Sequence, residues 1–412
     1  MTAPPQPLPT QESPLLGVTE MQALVLGGLS AVTTERVDLS HAAGRVLARS
    51  VVSERHLPGV DNSAMDGFAV RSADCVSPGD AEARLRVDGE ARAGDAVTDH
   101  LPGTAMRIMT GAPLPRGADS VVPWEDTDEV GGAISIRVTV RSGAHVRRCG
   151  EDISPGMTVV EAGRRLRPID VAACAAVGAA ALEVRRRPRV AIVSGGDELV
   201  APEVVPEPHQ VVDSNAVMLA AAVEEAGGEA VRFGVVADDP DALRERFIAA
   251  AACDLIVSSA GVSVGAHDHV RGIVEELGSI TAWRVAMRPG KPLLVGAVCG
   301  TPLLGLPGNP VSSAVTFELF GRPAILALQG ATSVHRGRIA VRLAEAVRAP
   351  EHLETYLRAR LVESVDGIPT AELSGGQGSH MLRSLADADV LVCVPQGAGS
   401  CAAGTVLRAL ML

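Results

Sequence analysis

Between residues 190 and 329, short apolar runs alternate with segments whose apolar positions recur every three or four residues. Val190-Ala-Ile-Val193 and Leu255-Ile-Val257 are continuous apolar runs, which are typical of strands buried on both faces. After Asp239-Pro240 the apolar positions follow helical spacing, and a capping residue before Pro indicates a helix start. This alternation predicts a three-layer α/β domain with a mainly parallel sheet. Its remaining strands are predicted at 231–236, 283–287, 293–298 and 302–305.

The pattern changes on either side of this α/β domain, whose limits we place at 189–330. Residues 56–146 hold short alternating runs between Gly, Pro and Asp turns, which predicts a β-rich second domain. Residues 331–412 hold strand-like runs with Gly-rich turns, which predicts a small β-barrel or sandwich. The segments 19–55 and 147–188 remain, and we assign them to an extended linking region.

The N-terminal stretch, residues 1–18, is rich in Pro and polar side chains and is predicted to be a flexible tail. It has neither the basic nor the apolar part of a signal peptide. Thr19 and Gln22 match a capping box, so we expect a helix to begin at Thr19.

Composition narrows the class of protein. The 412 residues carry 37 basic and 49 acidic side chains, a net charge of −12, and few aromatic residues, which argues against a broad nucleic-acid surface. Seven scattered Cys residues without a CxxC pair indicate reduced thiols, with no disulfide framework or zinc site. No run of about 18 uncharged apolar residues occurs. We therefore expect a soluble, cytoplasmic, multidomain protein that binds neither nucleic acid nor membranes.

One basic residue stands apart from the rest. Of the 37 basic residues, only Lys291 is a lysine and the others are arginines. A GC-rich genome explains the general preference for Arg, and chance survival of one Lys codon is the plain alternative. A site that needs an ammonium group in particular is the functional interpretation.

Acidic and basic side chains follow the strands of the predicted sheet. In an open α/β sheet, ligands bind beyond the carboxyl ends of the strands. Five loops should meet there, although any one charged side chain alone is more often a helix cap or a solvated group. The loops contribute Asp197, Glu198, Asp238, Asp239, Asp268, Arg288 and Lys291.

Two further segments are candidates for binding. Gly305-Leu-Pro-Gly-Asn-Pro310 places glycines between a strand and a helix start, which is a suitable cradle for an anion, although a plain Gly/Pro turn is the alternative. It is not a Walker loop, and no G-x-G-x-x-G is present. Asp61-Asn-Ser-Ala-Met-Asp66 crowds carboxylates, an amide and a hydroxyl before a Gly, which suits either a hydrogen-bonded turn or the rigid presentation of one carboxylate. Thr110 likewise stands beside a Gly turn.

Taken together and in order, the motifs resemble those of the molybdopterin molybdenumtransferase family, the molybdenum-insertion enzymes related to the gephyrin E domain. The resemblance spans roughly residues 19–412. It rests on DNSAMDGFAV (61–70), RIMTGAPLP (107–115), GEDI (150–153), SGGDEL (194–199), GVSVG (261–265), RPGKP (288–292), GLPGNPVS (305–312) and GGQGSH (375–380).

The resemblance implies a fold and a reaction. The fold is an elongated homodimer of multidomain α/β plus β chains, in which the linking region contributes to dimerisation, the α/β domain binds molybdopterin and a small C-terminal β-barrel ends the chain. The reaction joins adenylylated molybdopterin and molybdate, requires Mg²⁺ and releases AMP. The adenylyltransferase of the same pathway is a further possible partner. In such proteins the site lies between the α/β domain of one subunit and the second domain of the other.

The resemblance also implies roles for individual residues. Catalytic roles fall to Asp61, Thr110, Asp152, Glu198, Asp238, Asp268 and Lys291, and Glu198, Asp238 and Asp268 would hold the metal. Substrate-binding roles fall to Arg284, Arg288, Gly261, Ser263, Gly308, Asn309, Ser312, Arg358 and Ser379. Arg284 and Arg288 stand where relatives commonly have Lys, which preserves charge and alters hydrogen-bond geometry.

Two other functions are alternatives to molybdenum insertion. An adenylyltransferase that activates molybdopterin would resemble residues 190–329 alone, so the additional regions argue against it. A non-catalytic scaffold of the gephyrin type would be favoured by a long partner-binding insertion, and the sequence has none.

Overall fold

The computed structural model describes residues 15–75, 83–259, 269–363 and 367–412. The largest sheet belongs to the α/β domain. Its first four strands are parallel, and the fifth is antiparallel to both of its neighbours. The sixth strand therefore runs in the direction of the first four and ends at the same edge. In spatial order the strands are Glu229–Val236, Arg189–Gly195, Leu255–Ser258, Thr301–Gly305, Leu294–Val298 and Gly278–Trp283.

Helices cover both faces of this sheet, which confirms the three-layer architecture. Val190 and Ile192 pack on one face, and the intervening Ala191 and Val193 pack on the other. This alternation explains why the strands are continuous apolar runs. One face carries the helices Val18–Gly27, Ser214–Glu225, Pro310–Thr316 and Arg322–Leu328; the other carries Pro240–Ala250 and His269–Leu277.

A π-helical turn at Phe317–Gly321 joins two of these helices into one continuous segment, Pro310–Leu328. Among the described residues, this is the one helix long and apolar enough to cross a membrane by length and composition. However, 78% of its most apolar window is buried within the protein. Its apolar character is therefore accounted for by its place in the core.

The β-rich region forms a second six-stranded sheet. Its strands are antiparallel except for one parallel pair, Ala83–Ala91 with Thr104–Ile108. Apolar clusters lie on both faces, around Phe68 on one and Ile108 on the other. The spatial order is Ser120–Pro123, Gly67–Val70, Thr104–Ile108, Ala83–Ala91, Ala133–Ile136 and Thr127–Val130.

Short antiparallel strands join the two segments of the linking region. Leu47, Cys174 and Val184 belong to its apolar core, to which the helix Pro168–Ala176 contributes. The strand pairs are Thr34–Asp38 with Ala181–Arg185 and Val51–Val52 with Thr158–Val160. A further pair, Asn62–Ser63 with Val146–Arg147, lies where the β-rich region meets the linking region.

The C-terminal region is a closed five-stranded barrel. The sheet closes because Glu354–Val362 pairs with Val390–Val394 as well as with Thr370–Leu373. The other two strands are Arg338–Leu343 and Val406–Met411. A strand from the α/β domain, Met287–Arg288, also pairs with the start of Glu354–Val362 and so ties the barrel to that domain.

The shorter elements complete the chain. They comprise the strand pairs Leu199–Val200 with Val211–Val212 and Val347–Arg348 with Ser400–Cys401, the helix Leu382–Ala386, and the 3-10 turns Leu39–His41, Ser72–Cys75 and Trp124–Asp126.

The N-terminus differs from the prediction. The first helix begins at Val18 and its cap is Gly17, whose N–H donates to the Glu20 carboxylate at 2.8 Å, so the predicted cap at Thr19 is wrong. This helix packs on the α/β sheet and not on the linking strands. Leu16, which we placed in the flexible tail, bridges to Val285. Residues 1–14 lie outside the described part of the chain.

One predicted strand is also misplaced. The edge strand of the α/β sheet is Gly278–Trp283, whereas the prediction was 283–287. Of that predicted segment only Met287 belongs to a second strand, Met287–Arg288, which pairs with the barrel.

Candidate active site

The carboxyl ends of the parallel strands meet at one edge of the α/β sheet, as the topology requires. Register places Gly195 beside Val236 and Ser258 beside Gly305. The hydroxyls of Ser194 and Ser259 are 3.0 Å apart across neighbouring strands. The loops that follow these strands therefore form a common rim.

Two of the predicted carboxylates stand on adjoining loops of this rim. Glu198 folds back over Gly196, since a Cβ on that glycine would lie 2.7 Å from Glu198 Oε2. The N–H of Asp238 donates to Asp197 Oδ1 at 3.0 Å, which links the two loops. Glu198 and Asp238 are both exposed. They offer hard oxygen ligands of the type that Mg²⁺ takes.

The third predicted metal ligand, Asp268, lies outside the described residues, as do Gly261 and Ser263. Within the described ranges, no group of three His, Cys, Asp or Glu side chains is arranged to hold a metal ion. Of the three predicted metal ligands, the described part of the chain thus contains two, Glu198 and Asp238.

The segment 284–291, which carries Arg284, Arg288 and Lys291, begins at this rim directly after the edge strand Gly278–Trp283. Arg284 adopts a φ of +78°, and its guanidinium carbon lies 5.4 Å from the centre of the Trp283 ring. The N–H of Val285 donates to the Lys291 carbonyl at 2.9 Å, which closes the segment into a loop. Lys291 is half-buried, and Arg288 is exposed.

The Lys291 loop packs against the helix that follows Asn309. Gly290 has a φ of +103°, and a Cβ there would lie 2.5 Å from Thr316 Cγ2. This contact places the Lys291 loop at the last residue of that helix, while Ser312 is buried in its first turn. Gly308, just before the helix, is held by the Asn215 side chain, which donates a hydrogen bond of 2.7 Å to its carbonyl.

A loop of the barrel reaches both the start of this helix and the Lys291 loop. The carbonyl of Ser379 accepts a hydrogen bond of 3.1 Å from the N–H of Val311, in the first turn of the helix. A cavity of about 200 Å³ between the barrel and the Lys291 loop is lined by Arg288 and Gln377. The structure therefore brings together three of the predicted binding segments, 288–292, 308–312 and 375–380.

Arg358 differs from the other predicted binding residues because it is fully buried. Its guanidinium donates to the carbonyls of Gly376 and Gly378 at 2.8 and 3.1 Å, and to the Ser384 hydroxyl at 3.0 Å. Burial lowers the pKa of this side chain. The observed contacts are therefore those of a residue that positions the 375–380 loop from beneath.

Replacing Arg358 should destabilise the protein measurably. We expect Arg358→Met to lower the free energy of unfolding by about 2 to 3 kcal/mol, because the Gly376 and Gly378 carbonyls would lose their buried donor. Urea unfolding checks this value. Arg360→Met, at an exposed position on the same strand, serves as the control and should cost no more than about 0.5 kcal/mol. Equal losses in the two variants would show that the buried contacts add nothing.

The β-rich region holds a second group of predicted residues. Asp61 accepts hydrogen bonds of 2.7 Å from the N–H of Cys149 and from the Arg148 guanidinium. These bonds, chiefly the one from the Cys149 N–H, hold the pKa of Asp61 below its usual value. Asp152 lies near this segment, because its N–H donates to the Leu57 carbonyl at 3.1 Å. Its side chain is exposed.

Thr110 stands beside the same segment and is held by Asp66. Both its N–H and its hydroxyl donate to Asp66 Oδ1, at 2.7 and 2.9 Å. These bonds lower the pKa of Asp66. The six-residue segment from Asp61 to Asp66 thus contains one carboxylate fixed by Arg148 and one that fixes Thr110.

The two groups are not joined by polar contacts. Among the described residues, no hydrogen bond or salt bridge connects 56–146 to 189–330. Asp61, Thr110 and Asp152 therefore do not share a site with Glu198 and Lys291 through these contacts.

Three residues in these arrangements were not predicted: Asn215, Arg148 and Asp66 as the partner of Thr110. Asn215 is buried, and its Oδ1 has no hydrogen-bond partner within the described ranges. An Asn two residues after the capping Asp213 was the available signal, and it is equally typical of an ordinary helix start. Arg148 lies next to the GEDI motif, where one basic residue among many gave no signal.

Family models match nearly the whole chain. Residues 16–178 match the MoeA N-terminal region (domain I and II), 191–327 match a probable molybdopterin binding domain, and 340–412 match the MoeA C-terminal region (domain IV). These matches define the class, a molybdopterin-binding protein of molybdenum cofactor biosynthesis.

Named relatives and solved structures agree with this class. Molybdopterin molybdenumtransferase 2 of Mycobacterium tuberculosis (strain ATCC 25618 / H37Rv) is 39% identical over 403 residues, covering 95% of this chain and 98% of the relative. Molybdopterin molybdenumtransferase of Nostoc sp. is 41% identical over 374 residues, covering 88% and 85%. A MoeA protein structure from Pyrococcus horikoshii superposes with a TM-score of 0.78 at 31% identity, covering 97% and 99%. The chain belongs to the MoeA family of molybdopterin molybdenumtransferases.

Proposed function

We propose that this enzyme inserts molybdenum from molybdate into adenylylated molybdopterin, which yields molybdenum cofactor and AMP. The observation that carries the proposal is that the Ser379 loop joins the Lys291 loop to the helix start at Asn309, at the edge of the α/β sheet that also carries Glu198 and Asp238. The names of the relatives, together with their coverage of the chain, support the same reaction.

The cationic groups fit the charge of the substrates. Molybdate and the phosphates of an adenylylated pterin are anions that must meet in one site. Arg284, Arg288 and Lys291 can bind their oxygens, and the helix that starts at Asn309 adds a positive dipole end. As charge moves to the departing AMP, these fixed donors stabilise it without reorganising.

A hard cation belongs to the proposal. Glu198 and Asp238, with Asp268 as the expected third ligand, would hold Mg²⁺, which neutralises charge on phosphate oxygens when bound. The chain's own part is to present both carboxylates exposed at the rim.

We further propose that the site is completed across a homodimer, with the linking region as the dimerisation element. Asp61, Thr110 and Asp152 of one subunit would then face the α/β rim of the other. The lack of a hydrogen bond or salt bridge between the two groups, among the described residues of one chain, supports this arrangement. We place the enzyme in the cytoplasm, which is supported by its seven free cysteines. The adenylyltransferase that makes its substrate is a further proposed partner.

The direct test is AMP release. Purified enzyme, given adenylylated molybdopterin and Mg²⁺, should release AMP only when molybdate is added. No molybdate-dependent release would contradict the proposal. In a parallel assay with molybdopterin and ATP, adenylylated product should not form; its formation would indicate an adenylyltransferase.

Asp66 should act through Thr110, and a double-mutant cycle tests this. We expect Asp66→Ala and Thr110→Ala each to lower kcat/KM by about tenfold, and the double variant to lose little more, since both changes disable one unit. The measurement is kcat/KM for AMP release in the three variants and wild type. A double variant about a hundredfold impaired would show independent roles. Ser72→Ala, which removes a similar hydroxyl–carboxylate bond to Asp119, is the matched control.

A further inference from the structure

An arginine-rich cavity lies away from the residues of the candidate active site. It has a volume of about 470 Å³ and is enclosed by the linking loop at 163–167, the helix residue Arg322 and the segment 332–337 that leads into the barrel. The linking loop lies tightly on that segment, since the N–H of Thr332 donates to the Gly163 carbonyl at 2.9 Å. None of these residues belongs to the rim or to the β-rich group described above.

Positive charge exceeds negative charge around this arginine-rich cavity. Arg164 and Arg167 share one carboxylate, Asp170, at 2.9 and 3.0 Å. Arg336 pairs with two carboxylates, those of Glu225 and Glu318, at 2.9 and 2.6 Å.

The other two guanidiniums have no salt bridge among the described residues. Arg165 donates to the backbone carbonyls of Gly44 and Glu225 at 3.2 and 2.7 Å, which leaves its charge uncompensated. Arg322 is the second. Five guanidiniums thus face three carboxylates, in a chain whose net charge is −12.

Arg322 is the clearest sign that the cavity takes an anionic ligand. Its Nε is buried and has no hydrogen-bond partner among the described residues. Burial lowers its pKa, and the charges of Arg336 and Arg165 act in the same direction, partly offset by Glu318 and Glu225. The two nearby carboxylates, Glu318 and Glu225, are already bound to Arg336. A partly buried cation beside like charges is costly unless an anion compensates it.

We propose that the arginine-rich cavity binds a small phosphate monoester. Guanidinium groups bind phosphate oxygens in pairs of parallel hydrogen bonds, and several of them are the usual requirement for a dianion. The hydroxyls of Thr332 and Ser333 line the same cavity and add neutral donors. The volume lies in the range of small-molecule sites, so it accommodates the organic part of an ester as well as the phosphate. This site is independent of the proposed molybdenum insertion.

Equilibrium dialysis with radiolabelled inorganic phosphate tests the proposal on the full-length protein at constant ionic strength. Wild type should bind phosphate saturably, and comparison with the variants shows which part of this binding belongs to the cavity. Arg322→Met should weaken this binding at least about tenfold, because it removes the cation while keeping most of the side-chain volume. Arg86→Met, at an exposed arginine of the β-rich region, is the matched control and should bind as wild type does.

A second variant tests the proposal in case Arg322→Met loses phosphate binding because it misfolds. Arg164 is 46% exposed in its side chain, so Arg164→Gln should fold normally and still weaken phosphate binding. Molybdate-dependent AMP release should persist in both cavity variants, which separates this proposal from the proposed function. The proposal is overturned if wild type shows no saturable binding, or if both variants bind phosphate as wild type does. It is also overturned if the variants alter only dimer dissociation in sedimentation velocity, because a second copy of the chain would then occupy the cavity.

Discussion

A heterodimer of an Asp61→Ala subunit and a Lys291→Ala subunit should regain about half of the wild-type rate of AMP release, although each homodimer loses at least about a hundredfold. If each site takes Asp61 from one subunit and Lys291 from the other, one site of this heterodimer has both residues intact. Its second site has lost both. Differently tagged subunits, purified as verified heterodimers, allow the rate to be measured.

The matched control places both substitutions on one chain and pairs it with a wild-type chain. If each site is completed across the dimer, one of the two sites then lacks Asp61 and the other lacks Lys291. This heterodimer should therefore be inactive. A site formed within one subunit predicts the reverse pattern, since the wild-type chain would keep its own site whole. The two heterodimers therefore give opposite results for the two arrangements, and activity only in the control pair would contradict ours.

The α/β domain could be predicted well because its signals are local. Val190–Val193 and Leu255–Val257 are apolar at every position, as strands covered on both faces must be. Asp239 caps its helix as expected, accepting a hydrogen bond of 2.8 Å from the Ala242 N–H. Because strands and helices alternate, the carboxyl ends of the strands must lie at one edge of the sheet. The positions of Glu198 and Asp238, directly after two of these strands, could then be predicted.

The misplaced helix cap is a local error, since Gly17 and the Glu20 carboxylate that it binds are three residues apart. The other errors arose where distant parts of the chain decide the structure. Leu16 is fixed by Val285, some 270 positions away along the chain. Local propensity contains no information about such a partner.

Arg358 illustrates the same difficulty within the candidate site. A basic residue in a strand is usually exposed, and only the closed barrel, with its loop of glycine carbonyls, makes burial of this one favourable. The motif resemblance found the residue, and its contacts identify it as one that positions the loop.

Lys291→Arg should fold normally and lose at least about tenfold in turnover, corresponding to about 1.4 kcal/mol of transition-state stabilisation. Gly290, with its φ of +103°, packs on Thr316, and the Lys291 carbonyl is bound by the Val285 N–H. The backbone of this loop therefore has little freedom to move outward. A guanidinium is larger and planar, so at this half-buried position it cannot make the same compact contact with an oxyanion.

Comparison with Lys291→Met separates charge from shape. If only positive charge mattered, Lys291→Arg would turn over as wild type does while Lys291→Met would fail. We expect both to be impaired, with Lys291→Arg intermediate, at saturating molybdate and adenylylated pterin. Thermal unfolding and gel filtration establish that each variant is folded and has the wild-type oligomeric state. Near-wild-type turnover of Lys291→Arg would mean that the single lysine in the chain reflects base composition and not a requirement for an ammonium group.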